Sequence, residues 1–60
     1  MKYKIIKENV NHLELGTLEK YFIYYFDVNG NYETKEFYTI DLAEPQTEIR
    51  KGYTKHPDSL

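Results

Sequence analysis

Tyr21-Phe22-Ile23-Tyr24-Tyr25-Phe26 is the stretch that decides the fold. Six consecutive aromatic or β-branched side chains lose χ1 freedom against a helical turn and pack well on a pleated surface, so the run predicts a β-strand. Asp27-Val28-Asn29-Gly30 follows. An Asp at the start of a type I turn, with Asn and then a Gly able to take positive φ, predicts a hairpin closed by a G1 bulge. A two-residue turn at Asn29-Gly30 is the competing register. In the bulged register Phe26 faces Tyr32, Tyr24 faces Thr34 and Tyr21 faces Phe37, on a return strand read as 32–40.

Alternation along this hairpin carries the functional argument. Tyr21, Ile23 and Tyr25 occupy one face of the strand and Phe22, Tyr24 and Phe26 the other, because successive side chains point to opposite sides. The return strand mixes Glu33, Lys35 and Glu36 with Tyr32, Phe37, Tyr38 and Ile40 and reads as half exposed. Its neighbour is apolar on both sides, and one of those sides exceeds what so short a chain can cover.

Working outward, Lys2–Lys7 has adjacent β-branched residues and reads as a strand that ends in a turn at Glu8-Asn9. Val10–Leu15 reads as a second short strand before Gly16. Beyond the hairpin, Asp41-Leu42-Ala43-Glu44 has the form of a helix start, and Pro45 is tolerated in a first turn. Arg50 and Lys51 before Gly52 suit a helix end, with cations at its negative pole and Gly at C′. A two-turn helix is expected there. Residues 1–52 are expected to form one small domain and 53–60 a flexible C-terminal tail. The expected fold is α+β or mainly β: a small antiparallel sheet of three to four strands with a central β-hairpin and one short C-terminal helix.

Composition narrows the function. The chain has 60 residues, 8 Lys+Arg, 10 Asp+Glu and no Cys. Disulfides, thiolate nucleophiles and cysteine-based zinc sites are thereby excluded. A chain this small must be held by its core alone or by a partner, which raises the expectation of a homodimer. Charge is unevenly spread: residues 27–48 carry six acids against one Lys, whereas 49–60 carry Arg50, Lys51 and Lys55 against Asp58. An acidic middle is a poor start for phosphate binding. The longest apolar run, six residues, is far short of a bilayer span, and Lys7 follows Ile6 too soon for a signal peptide. A cytoplasmic location without membrane contact is expected.

No residue set points to catalysis, and no cofactor is expected. Asp27, Asn29 and Asn31 alternate as early EF-hand ligands do, but Gly30 falls at the fourth position of such a loop and Tyr38 at the twelfth. A turn explains them better. His12 with Glu14 offers two metal ligands at most, so no metal site is expected. Glu33, Glu36, Asp41 and Glu44 read as a solvated acidic face rather than paired catalytic carboxylates.

Binding remains. Tyrosine supplies large, rigid, amphipathic contact area. The candidate partner-binding residues are Tyr21, Ile23, Tyr24, Tyr25 and Tyr38, with Glu33 and Glu36 in an acidic rim that steers toward a basic surface. The alternative is a small β-barrel-like protein that binds single-stranded nucleic acid, stacking bases on the same tyrosines beside Lys2, Lys4, Lys7, Arg50, Lys51 and Lys55. In size, Lys/Glu/Asn/Tyr/Ile-rich usage and lack of a catalytic motif, the chain is similar in general type to small proteins of bacteriophages and mobile elements. That similarity covers no specific motif. It implies stoichiometric binding, with inhibition or regulation of a host protein such as a defence enzyme.

Overall fold

The computed structural model describes residues 1–39 and 41–60; the end of the expected return strand, Ile40, lies outside them. The chain is mostly β, with strands β1 (Lys2–His12), β2 (Gly16–Phe26), β3 (Tyr32–Phe37) and β4 (Thr54–Lys55) and one helix, α1 (Ala43–Thr47). They form a single sheet in the order β3-β2-β1-β4. β1, β2 and β3 are antiparallel, but β4 runs parallel to β1, so the sheet is mixed.

The β2–β3 hairpin adopts the bulged register, with Tyr21↔Phe37, Tyr24↔Thr34 and Phe26↔Tyr32. Asp27 builds its turn. Its backbone N–H donates to the Asn31 carbonyl at 3.0 Å, and its Oδ1 accepts from the N–H groups of Asn29 (2.8 Å) and Asn31 (3.0 Å). Gly30 supplies the positive φ, +84°.

The N-terminal half departs from expectation. Lys2–Lys7 and Val10–Leu15 are not two strands split at Glu8-Asn9; β1 runs unbroken and pairs with β2 from Lys2↔Phe26 to His12↔Gly16. Glu8 stands opposite Lys20 and Asn9 opposite Glu19, so the backbone ladder continues through the pair that reads locally as a turn. Reversal comes at Leu13–Leu15, where His12 Nδ1 accepts the N–H groups of Glu14 and Leu15, each at 3.2 Å.

One face of the sheet makes the core: Ile5, Tyr21, Ile23, Tyr25 and Phe37, packed by Tyr3, Leu42, Ile49 and Tyr53. Residues 41–53 lie over it. The helix within them is one turn rather than two. Asp41 Oδ1 receives the Ala43 N–H at 2.9 Å, Pro45 is buried in the first turn, and bonds from Glu48 and Ile49 back to Pro45 and Gln46 tighten the end. Gly52 takes its positive φ, +88°, in a separate turn closed by Tyr53 N–H to the Arg50 carbonyl. Ending early frees Glu48 to meet Tyr25, whose hydroxyl donates to the Glu48 carbonyl at 2.6 Å. The Arg50 guanidinium stacks 4.1 Å from the Tyr25 ring, and Tyr53 meets that ring edge-on at 5.4 Å.

The segment 53–60 is not the loose tail expected of it. It runs along the outer edge of β1: Thr54 N–H donates to the Met1 carbonyl, His56 N–H to Tyr3 and Leu60 N–H to Ile5, at 3.0, 2.8 and 2.8 Å. The Ser59 hydroxyl accepts the Ile5 N–H at 2.8 Å. A bare strand edge carries unpaired backbone groups, and this strap satisfies them.

Two outcomes follow from the packing. Tyr25→Phe removes one part-buried hydrogen bond, to the carbonyl of the exposed Glu48, and should cost ~0.5–1.5 kcal/mol. Tyr25→Ala should cost ~3–5 kcal/mol, comparable with the whole stability of a small domain. Urea denaturation checks both, and equal stability of Tyr25→Phe and wild type would remove the bond from the account. Ser59→Ala should raise the amide exchange rate at Ile5 more than at Ile23, read by hydrogen-exchange NMR.

Candidate binding face

The sheet's second face is built by the same alternation that makes the core. Cross-strand partners share a face, so Phe22, Tyr24 and Phe26 lie beside Ile6, Lys4 and Lys2 of β1 and beside Glu36, Thr34 and Tyr32 of β3. Leu18 and Val10 extend this face toward the β1–β2 turn. Its central apolar side chains are half-buried, shielded mainly by one another, and none belongs to the core cluster.

Tyr24, Phe26 and Tyr32 form a ring cluster. Tyr24 and Phe26 stack at 6.4 Å with an 18° interplanar angle, and Tyr32 tilts against each at 6.2 Å. The His56 ring closes the edge 6.4 Å from Phe26. Lys4 Nζ sits 5.9 Å from the Tyr24 ring. At the other end Lys20 Nζ lies 3.9 Å from the Tyr38 ring and 3.1 Å from Glu36 Oε2. Tyr38 first, then Glu36, raise the Lys20 pKa above its ordinary value against the opposing effect of desolvation.

The candidate residues divide between the two faces. Tyr24, Tyr38 and Glu36 are on the open face. Tyr21, Ile23 and Tyr25 are not partner anchors exposed on a surface: they are the buried core, and Ile23 is 0 % exposed. Burial pushes the Tyr25 phenol up, with Arg50 pulling partly against it. Glu33 is on the core side of β3, where its Oε2 pairs with Arg50 Nη1 at 2.8 Å. Phe22, Phe26 and Tyr32 were missing from the candidates although they share parity with Tyr24. The i, i+2 rule would have found them once either face was assigned.

Three of the six acids of the acidic middle are paired with cations. Glu36 meets Lys20, Glu48 meets Lys35 at 2.8 Å, and Glu33 meets Arg50. Such exposed pairs add little stability, but they reduce the acidic rim to a few unpaired carboxylates. Asp27, Asn29 and Asn31 are used by the turn, and His12 Nδ1 by the β1–β2 reversal. Among the described residues there is no group of three His, Cys, Asp or Glu placed to hold a metal ion. Among the described residues no helix is long and apolar enough to cross a membrane. Comparison with protein-family models, curated proteins and solved structures finds no match to this chain.

Two carboxylates are held below their ordinary pKa. At Asp27 desolvation acts upward but is outweighed by the N–H donors of Asn29, Asn31 and Gly30; at Glu33 the Arg50 guanidinium is the cause. A folded pKa below the unfolded one stabilises the fold fully above the ordinary carboxylate range and is lost as pH falls through the depressed value. The melting temperature should therefore drop on acidification below the ordinary carboxylate range. Asp27→Asn should lower the neutral-pH melting temperature and flatten that acid limb, measured by circular dichroism from pH 7 to pH 2. An acid limb as steep as wild type in Asp27→Asn would contradict the assignment.

Proposed function

We propose that the chain is a non-enzymatic protein-interaction module whose binding surface is the open sheet face centred on Phe22, Tyr24, Phe26 and Tyr32. One observation carries this reading: an aromatic sheet face across which, among the described residues, no element packs apart from the His56 ring at the edge of Phe26. Rings of this size give contact area at low side-chain entropy, and exposed apolar patches rimmed by polar groups mark association sites. Lys4, Lys20 and Glu36 supply the charged rim. The absence of a catalytic constellation in the sequence favours stoichiometric binding, by which such a module inhibits or regulates the protein it covers. The general likeness in type to small phage and mobile-element proteins, including those directed at host defence enzymes, agrees with that mode.

A second reading has its own support. Among the described residues Lys2, Lys4, Lys51 and Lys55 form no ion pair, and Lys2 and Lys4 flank the Tyr24–Phe26 rings. Cations beside stacked rings suit single-stranded nucleic acid. A formal charge of −2 weighs against it.

Tyr24→Glu should abolish capture of the partner from a lysate of the source cell while leaving the far-ultraviolet dichroism unchanged, and Tyr24→Phe should retain it. A labelled single-stranded oligonucleotide should show no anisotropy change at low salt. Binding that weakens steeply with added salt, and disappears in Lys4→Glu, would give the face to nucleic acid instead.

A further inference from the structure

The two edges of the sheet are finished differently. Residues 53–60 bond along the outer side of β1, whereas among the described residues no strand pairs with the outer side of β3. The turn fixes the hydrogen-bond phase of that free edge. Asp27 donates to Asn31, and bonded and non-bonded pairs alternate along an antiparallel ladder, so Glu33, Lys35 and Phe37 bond to Tyr25, Ile23 and Tyr21. The N–H and C=O groups of Tyr32, Thr34 and Glu36 therefore point away from β2, and residues 32–36 are all exposed. Such a row of groups is a template for another strand, which charged side chains commonly guard.

We infer that β3 pairs antiparallel with β3 of a second copy about a two-fold axis at Thr34, joining two four-stranded sheets into one. This goes beyond the binding reading and does not depend on it. Backbone phase restricts the axis to a residue of β3, and the side chains select among those residues. An axis at Tyr32 runs the partner strand past the end of β3 into the Gly30 turn. Axes at Glu33, Lys35 and Glu36 set each of those charges against its own copy, which is unfavourable. At Thr34 the strands overlap along β3, Tyr32 and Glu36 exchange backbone bonds with each other across the axis, and Glu33 stands opposite Lys35 twice. That pair falls at a non-bonded position, where side chains approach most closely. Glu33 already meets Arg50 and Lys35 already meets Glu48, yet their side chains remain 69 % and 52 % exposed. Across the axis the row Arg50, Glu33, Lys35, Glu48 alternates in sign from one copy to the other. A reversed copy of the same strand thus supplies the complementary charges, as an isologous contact requires. The two open faces come to lie side by side on one surface. Strands this short bury less than a standard interface, so the dissociation constant should be on the order of 100 µM.

Sedimentation equilibrium from ten micromolar to one millimolar tests the pairing, with each variant checked for native dichroism. Wild type should pass from monomer to dimer across that range. Thr34→Pro removes an N–H that faces away from β2, a position where an edge strand tolerates proline, and should weaken the dimer at least tenfold. Glu33→Lys and Lys35→Glu should each do the same, and mixing these two variants should restore association, because each then meets opposite charges across the edge. Tyr24→Glu, on the open face, should leave the dimer intact. In a chain with no native Cys, Thr34→Cys should oxidise to a covalent dimer, since bonded partners lie about 5.5 Å apart between Cα atoms. Glu36→Cys should not, because its copy lies four positions along the partner strand, about 14 Å away. A monomer throughout the range, or a dimer indifferent to Thr34→Pro, would overturn the edge pairing. A dimer broken by Thr34→Pro but not restored by the mixture, or cross-linked through Glu36→Cys, would overturn the axis at Thr34. A dimer broken by Tyr24→Glu would move the contact to the open face and overturn the proposal.

Discussion

β2 carries six large apolar side chains in a row, and a strand has only two faces to put them on. Everything else in the molecule answers to that constraint. One face receives Ile5 from β1, Phe37 from β3 and the 41–53 segment, pinned by the Tyr25 hydroxyl on Glu48 and by Arg50 over the Tyr25 ring. The same step that buries Tyr21, Ile23 and Tyr25 turns Phe22, Tyr24 and Phe26 outward. A slip of one residue in the β2–β3 pairing would move Phe37 off the core face, so the Asp27 turn, which sets that register, also decides which β3 side chains share the face of Phe22, Tyr24 and Phe26.

The hairpin and its register were legible because their chemistry is local. Asp27 and Gly30 specify the turn, and the aromatic run specifies the strand. The short helix start at Asp41 and Pro45 was legible for the same reason, although its end was not, because the Tyr25–Glu48 bond that competes with further helix joins residues 23 positions apart. Continuity of β1 through Glu8-Asn9 depends on Lys20 and Glu19 across the ladder, which no local propensity reports. The docking of 53–60 on β1 is the most distant case, since Ser59 and Ile5 are 54 positions apart.

The candidate site was legible as a property of a strand and not as a set of residues. An excess of apolar area on both faces pointed to a surface that the chain could not cover. Which face stays open depends on where residues 41–53 cross the sheet, and that is settled by packing. Tyrosine content drew attention to Tyr21 and Tyr25, whose rings and hydroxyls are spent inside, while Phe22 and Phe26, with no polar atom, are the ones left on the open side. The acids were misjudged for a related reason. Glu33, Glu36 and Glu48 come close together in sequence, but folding gives each a cation from a different element.

The strap along β1 has a kinetic consequence. The two hairpins close over short loops, whereas Thr54 reaches Met1, and Leu60 reaches Ile5, only after nearly the whole chain has been gathered. Loop-closure entropy places such contacts late in folding. Until they form, the nascent sheet presents an unprotected β1 edge along with its aromatic face, the two surfaces most prone to unwanted pairing. Residues 53–60 therefore set how long the chain spends in its most adhesive state, a property separate from the stability of the finished fold.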